Sequence, residues 1–241
     1  MSYQKILTKK FFENISLKQL RLVDAKQFSK IVRYNEINVY SDGFDFSSGY
    51  HASHNKAKKI IEKSLIEYNN KRSILFGIWQ ENNLMGIISL QEFDWHNGTA
   101  KINYYLNINF TNRGIMTIAC KSLIRYSIVN LKLKKVFILV NNSNSKGLSV
   151  AHRLMLGDSK EYDKFVNGVS VKFVEFSASR SDNHLFQVED SSYGVANIKI
   201  EDPVLYNNNS CKYYFTSAYQ FFSLTPGALI NKKSRKNQLH I

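Results

Sequence analysis

Three runs with strand character, residues 73–80, 84–93 and 99–108, follow one another with only turn signals between them. Asn82-Asn83 marks the first turn. Asn97-Gly98 marks the second, and Asn-Gly is the strongest short hairpin signal a sequence carries. Strands joined this tightly pair antiparallel, since a parallel partner needs a crossover of about a dozen residues. The middle of the chain is therefore a β-meander. The pattern then changes. Residues 115–129 read as a long helix, and residues 136–140 are an apolar, β-branched strand. Residues 148–156 read as a short helix. Asn167-Gly168 lies between alternating segments and makes residues 165–176 a further hairpin.

Upstream, residues 15–23 alternate in part and read as a strand. Asp24 stands where a helix N-cap would, before Ala25, Phe28, Ile31 and Val32 at helical spacing. Residues 35–54 read as a loop. Residues 56–68 read as a helix with Ala57, Ile60, Ile61, Leu65 and Tyr68 on one face. After residue 178 the pattern loosens into short β-like pieces among Ser and Asn clusters. We place a boundary there, giving a domain over 1–178 and a C-terminal extension over 179–241. The order of elements is that of a mixed α/β domain.

Charge is the unusual part of the composition. The 241 residues carry 33 Lys and Arg against 19 Asp and Glu, a net charge of +14. With 44% hydrophobic residues the chain is globular rather than disordered. The excess invites a nucleic-acid or membrane-surface reading. Yet the lysines are dispersed, and no helix-turn-helix, zinc-finger or single-strand-binding motif is legible. Nucleic acid therefore ranks last among the partners considered. No apolar stretch approaches the ~20 residues of a membrane span, and no signal peptide is evident. The expectation is a cytoplasmic protein without a membrane partner. Two cysteines, and His51 with His54, are too few for a metal site, so no metal is expected. The aromatic cluster from Tyr213 to Phe222 reads as core or dimer packing, which leaves a homodimer open.

The segment from 84 to 156 holds the chemistry. A strand ends, a short polar turn with Arg113 and Gly114 follows, and a helix begins. The free N–H groups and the dipole of a helix start favour an anion. Gly114 lets the backbone approach a ligand, and Arg113 adds fixed positive charge. Taken alone, this turn is equally an ordinary strand-to-helix connection.

The surroundings add to it. Ala100-Lys101-Ile102-Asn103-Tyr104-Tyr105-Leu106 occupies a pattern "A-E-I-G-Y-W-L". Residues 110–119, Phe-Thr-Asn-Arg-Gly-Ile-Met-Thr-Ile-Ala, occupy "Y-Q-G-K-G-I-M-T-E-A". Val140, Asn144, Val150, Ala151, Arg153 and Leu154 fit "V-x-x-x-N-x-x-S-x-x-V-A-x-R-L-G-F" in register. Over residues 11–178 the chain resembles the GNAT-type N-acetyltransferases, in the branch that includes the ribosomal-protein alanine acetyltransferases. The resemblance implies a mixed sheet of about six to seven strands, mostly antiparallel with one splayed parallel pair, flanked by helices.

It also implies acetyl-CoA as cofactor and a primary amine as acceptor, on a protein N-terminus or a small molecule. By resemblance, backbone N–H groups around Asn112, Arg113, Gly114, Ile115, Met116 and Thr117 hold the pyrophosphate. Tyr105, Leu106, Asn107 and Ile108 pair with the pantetheine arm, and Asn144 binds it from the neighbouring strand. Phe44, Phe46 and Tyr50 lie where the family's substrate lid lies. The 3′-phosphate and pyrophosphate would engage Arg113 and Lys146, which accounts for only part of the +14.

The departures matter for catalysis. The glycine before the basic residue is Asn112, and the glutamate of the "A-E-I-G" strand is Lys101. The serine after the asparagine is Gly147. The tyrosine that other branches place four residues later is Ala151. "L-G-F" becomes Leu154-Met155-Leu156. Ser145 and Ser149 are the remaining hydroxyls to protonate the leaving thiolate. Glu92 is the choice for the base that takes the amine's proton, with Asp94 second. The alternative reading is a GNAT-fold protein that binds CoA without turnover.

Overall fold

The structure, a computed structural model, describes residues 14–33, 53–166, 168–186, 198–201, 204–206 and 212–214. Its strands are β1 (Ile15–Gln19), β2 (Ile74–Gln80), β3 (Asn83–Asp94), β4 (Thr99–Leu106), β5 (Lys135–Asn141), β6 (Asp158–Val166), β7 (Val169–Ser179) and β8 (Lys199–Ile200). They form one eight-stranded sheet in the order β6-β7-β5-β4-β3-β2-β1-β8. The β4–β5 and β1–β8 pairs are parallel and the remaining neighbours antiparallel. Two further strands, β9 (Val204–Tyr206) and β10 (Lys212–Tyr214), pair only with each other.

Helices cover both faces. α1 (Ala25–Arg33) and α2 (His54–Asn69) bury Phe28, Ile31, Ala57 and Ile61 against Leu75, Trp79, Leu84 and Ile87. α3 (Ile115–Val129) packs Ala119, Cys120, Leu123 and Ile124 on the opposite face, against Phe76, Ile88, Ala100 and Ile102. α4 (Ser145–Arg153) adds Val150 and Ala151 to that second core. Residues alternate along each strand, so each apolar stripe finds its own helical layer.

α2 shows how local chemistry and packing agree. Ser53 caps it by accepting the Lys56 N–H at 3.2 Å. Ala57, Ile61 and Tyr68 of the expected face are buried, and Ile60 and Leu65 are half-buried. Asp24 behaves otherwise. It ends a 3-10 turn, Leu22–Asp24, and its carboxylate reaches back to accept the Arg21 N–H at 2.8 Å. The first meander turn falls at Glu81 and Asn82, with Glu81 in the left-handed region at φ 55°. The Asn97-Gly98 hairpin has a four-residue loop, because the Asp94 carboxylate binds the Asn97 N–H and side-chain amide. α4 begins three residues earlier than its apolar spacing indicates. The Asn144 side chain caps it there, accepting the Gly147 N–H at 2.9 Å. The second hairpin is longer than expected and supplies the sheet edge. Beyond residue 179, Leu185 and Ile198 enter the α3-side core, and β8 pairs with β1.

Candidate active site

β4 and β5 are paired only over Thr99–Ile102 with Lys135–Ile138. Past that point β4 continues along β3 and β5 continues along β7. The two parallel strands part, and a notch opens at their C-terminal ends. Asn103, Tyr104, Tyr105 and Leu106 form its β4 wall.

The chain leaves the notch by a tightly held turn. The Asn107 N–H donates to the Met85 carbonyl at 2.9 Å, and its side chain accepts the Asn109 N–H at 3.0 Å. A 3-10 turn, Ile108–Phe110, follows. Asn112 (φ 63°) and Gly114 (φ 76°) are both left-handed and reverse the chain immediately before α3. Gly114 is the N-cap and offers no capping side chain. The first-turn N–H groups of α3 therefore face outward with the positive end of the helix dipole. Two guanidinium groups stand here. Arg113 lies 5.8 Å from the Phe110 ring centroid, and Arg153 Nε donates to Thr117 Oγ1 at 3.2 Å. Arg153 comes from α4, across the notch, and joins the site only through the fold. The donors and charges at this turn suit a pyrophosphate, and the unpaired length of β4 suits an extended amide-bearing arm.

The opposite wall is the end of β5 and the start of α4. Gly147 is buried there. A Cβ on it would lie 2.8 Å from Val140 Cγ1. Asn144 is exposed, and its side-chain oxygen is used in capping. Ser145 and Ser149 are exposed, whereas Gly147, Val150 and Ala151 form the buried face of α4. The Tyr104 hydroxyl spans from β4 to α4 and donates to the Gly147 carbonyl at 3.2 Å. Burial pushes its pKa well above the ordinary value, the nearby Cys120 adds to that, and Arg153 pulls the other way.

The sheet face toward α1 and α2 carries polar groups beside the notch. Register places Ser89, Gln91, Lys101, Asn103 and Tyr105 on this face, with Leu139 and Glu175 beyond the gap. Asn103 donates to Gln91 at 3.0 Å, and Tyr162 donates to Glu175 at 2.8 Å. Lys101 is buried and pairs with Glu92 at 3.1 Å. Burial pushes Tyr105 up to about 12.

Of the expected residues, the structure gathers Tyr105 to Ile108, Asn112 to Thr117 and Asn144 around one notch. Glu92 sits at a β-bulge near the root of that notch, beside Lys101. Asp94 is not brought there. It pairs with Thr99, about 13 Å along β4 from Asn103 at the usual strand rise. Phe44, Phe46 and Tyr50 lie outside the described residues. Tyr104, Arg153 and Glu175 are the additions. Tyr104 reads as a core position because it alternates with Ile102 and Leu106. Arg153 and Glu175 approach only through long-range packing.

The family model for the acetyltransferase (GNAT) domain matches residues 14–155. The chain belongs to this family. It is an acetyl-CoA-dependent N-acetyltransferase. It is 29% identical over 174 residues to YdaF of Bacillus subtilis (strain 168), named for ribosomal N-acetyltransfer; the match covers 71% of this chain and 94% of YdaF. It is 24% identical over 117 residues to the ribosomal-protein-serine acetyltransferase of Escherichia coli (strain K12), covering 48% and 65%. The microcin C7 self-immunity acetyltransferase MccE, solved with acetyl-CoA and AMP, superposes with a TM-score of 0.61 at 25% identity, covering 70% of this chain and 94% of MccE. RimL, solved with coenzyme A, shares the fold at a TM-score of 0.61 and 17% identity, covering 69% and 94%. Among the described residues no helix is long and apolar enough to cross a membrane.

Proposed function

We propose that the chain acetylates a protein N-terminal amine in the cytoplasm, of the kind its relatives' names attach to ribosomal proteins. The observation that carries this reading is the parting of β4 and β5 beyond Ile102 and Ile138, which leaves a strand edge beside an uncapped helix start. Bound acetyl-CoA supplies an activated acetyl thioester. The first-turn N–H groups of α3, with Arg113 and Arg153, hold the phosphates. The backbone from Tyr105 to Ile108 lines the arm, and Asn144 flanks it. On the other face Asn103 and Gln91 offer amide groups to an incoming peptide. Glu92, poised by Lys101, takes the proton of the amine, directly or through water. Residues 179–241 act as an extension of this domain, and β8 lengthens its sheet.

The test is a thiol-release screen with short peptides that begin in Ser or Ala, run beside spermidine and other small amines. Turnover restricted to small amines would overturn the acceptor. Glu92→Gln should lower kcat about 100-fold at neutral pH. An unchanged kcat across the pH range would remove Glu92 from the role.

A further inference from the structure

A thiolate leaves when the amine displaces it, and it needs a hydrogen-bond donor at the sulfur. The helix that carries such a hydroxyl in the family has none facing the notch here. Position 147 is glycine and position 151 is alanine, both buried. Ser145 and Ser149 are exposed on the outer side of α4. One hydroxyl does cross the notch. It comes from the other wall, where Tyr104 Oη reaches the Gly147 carbonyl at 3.2 Å. The hydroxyl thus arrives at the backbone of the residue that lacks the side chain.

We propose that Tyr104 is the catalytic donor to the leaving sulfur, taking over from β4 the task that α4 lacks the side chain to perform. The Gly147 carbonyl can release this hydroxyl cheaply, because a helix carbonyl has its own partner four residues on. In the reaction the C–N bond forms as the C–S bond breaks, and the electron pair stays on sulfur. The Tyr104 O–H hydrogen-bonds to that sulfur and passes its proton on. The tyrosine recovers a proton released by the amine, so no net charge accumulates. Burial keeps Tyr104 protonated at working pH, so the donor is loaded in every molecule.

The inference rests on the notch being the site of chemistry, and its test does not depend on the acceptor. CoA itself, as the free thiol, is bound to wild-type protein and to Tyr104→Phe. The bound thiol is titrated by thiolate absorbance, with protein alone subtracted. A donor at the sulfur stabilises the thiolate, so the bound thiol should titrate about one pH unit lower in wild type than in the variant. Tyr104→Phe should bind CoA within about threefold of wild type, since a sulfur contact adds little to a phosphate-anchored ligand. Identical titration in both proteins would overturn the assignment while leaving CoA binding intact. Absence of CoA binding to wild type, seen by calorimetry, would instead remove the notch reading and this proposal with it. Fluorotyrosine at position 104 preserves packing if the phenylalanine variant misfolds. Its more acidic phenol should move the titration further down, and no movement would overturn the assignment.

Discussion

Lys101 Nζ lies 3.1 Å from Glu92 Oε1, and the two side chains differ sharply in exposure, 7% against 61%. The ammonium is the member that depends on the pair. Glu92→Ala leaves a buried cation without its partner, whereas Lys101→Met replaces it with an apolar chain of similar length. Half-exposed solvent screens the first change, so it should cost about 1 kcal/mol, and the second should be near neutral. Urea unfolding of both variants checks the order.

Gly147 closes α4 onto β5. A Cβ there would meet Val140 Cγ1 at 2.8 Å, and valine is too stiff at χ1 to step aside. Restoring the family's serine at this position should destabilise the protein by about 1–2 kcal/mol rather than improve it. It should also disturb the Tyr104 contact to the Gly147 carbonyl. Thermal unfolding and CoA calorimetry of Gly147→Ser report the two effects separately.

Met155 follows α4 at φ 51°, where a helix end ordinarily carries glycine. Its side chain is 71% exposed, so little packing is lost on removal. Met155→Gly should stabilise the protein by about 1 kcal/mol through relief of left-handed strain. Unfolding free energies of the two proteins decide it.

Arg113 stands in the turn just before α3, and Arg153 comes from the end of α4 to Thr117 in the first turn of α3. Each to Ala should weaken CoA about tenfold, the scale of one charge-assisted contact. The loss should shrink as salt rises, because both groups are exposed. Calorimetry at two ionic strengths checks both statements.

Stability should fall at alkaline pH. Burial pushes up the Cys120 thiol and the Tyr104 and Tyr105 hydroxyls from ordinary values of 9.0, 10.0 and 10.0. The unfolded chain releases these protons first, so the folded state gains nothing more below pH 9.0 and loses ground above it. For Tyr105 the loss runs from 10.0 to about 12. Tm should decline from pH 9 upward, and Cys120→Ala should flatten the earliest part of that decline. A flat Tm to pH 11 would contradict it.

Much of the fold was legible because it is written in local periods. The meander, the α3 helix and the β5 strand follow from alternation, turn chemistry and length, and the polar turn before α3 follows from Gly114 ahead of a helical run. Errors sit where a side chain overrides the period. Asn144 starts α4 early by capping it, and Asp24 and Asp94 spend their carboxylates on backbone N–H groups of their own turns.

The sequence by itself determined the strands, the helices and the turn that can take an anion, since each depends on neighbours a few residues away. Tertiary structure alone decided the rest. It parts β4 from β5, carries Arg153 back to Thr117, sets Lys101 against Glu92 and lays the Tyr104 hydroxyl on Gly147. These relations join residues from separate elements, and no local period encodes a distance between two elements. The +14 charge divides the same way. The fold brings Arg153 to Thr117 in the first turn of α3, just after the turn that holds Arg113, whereas along the sequence the lysines are simply dispersed.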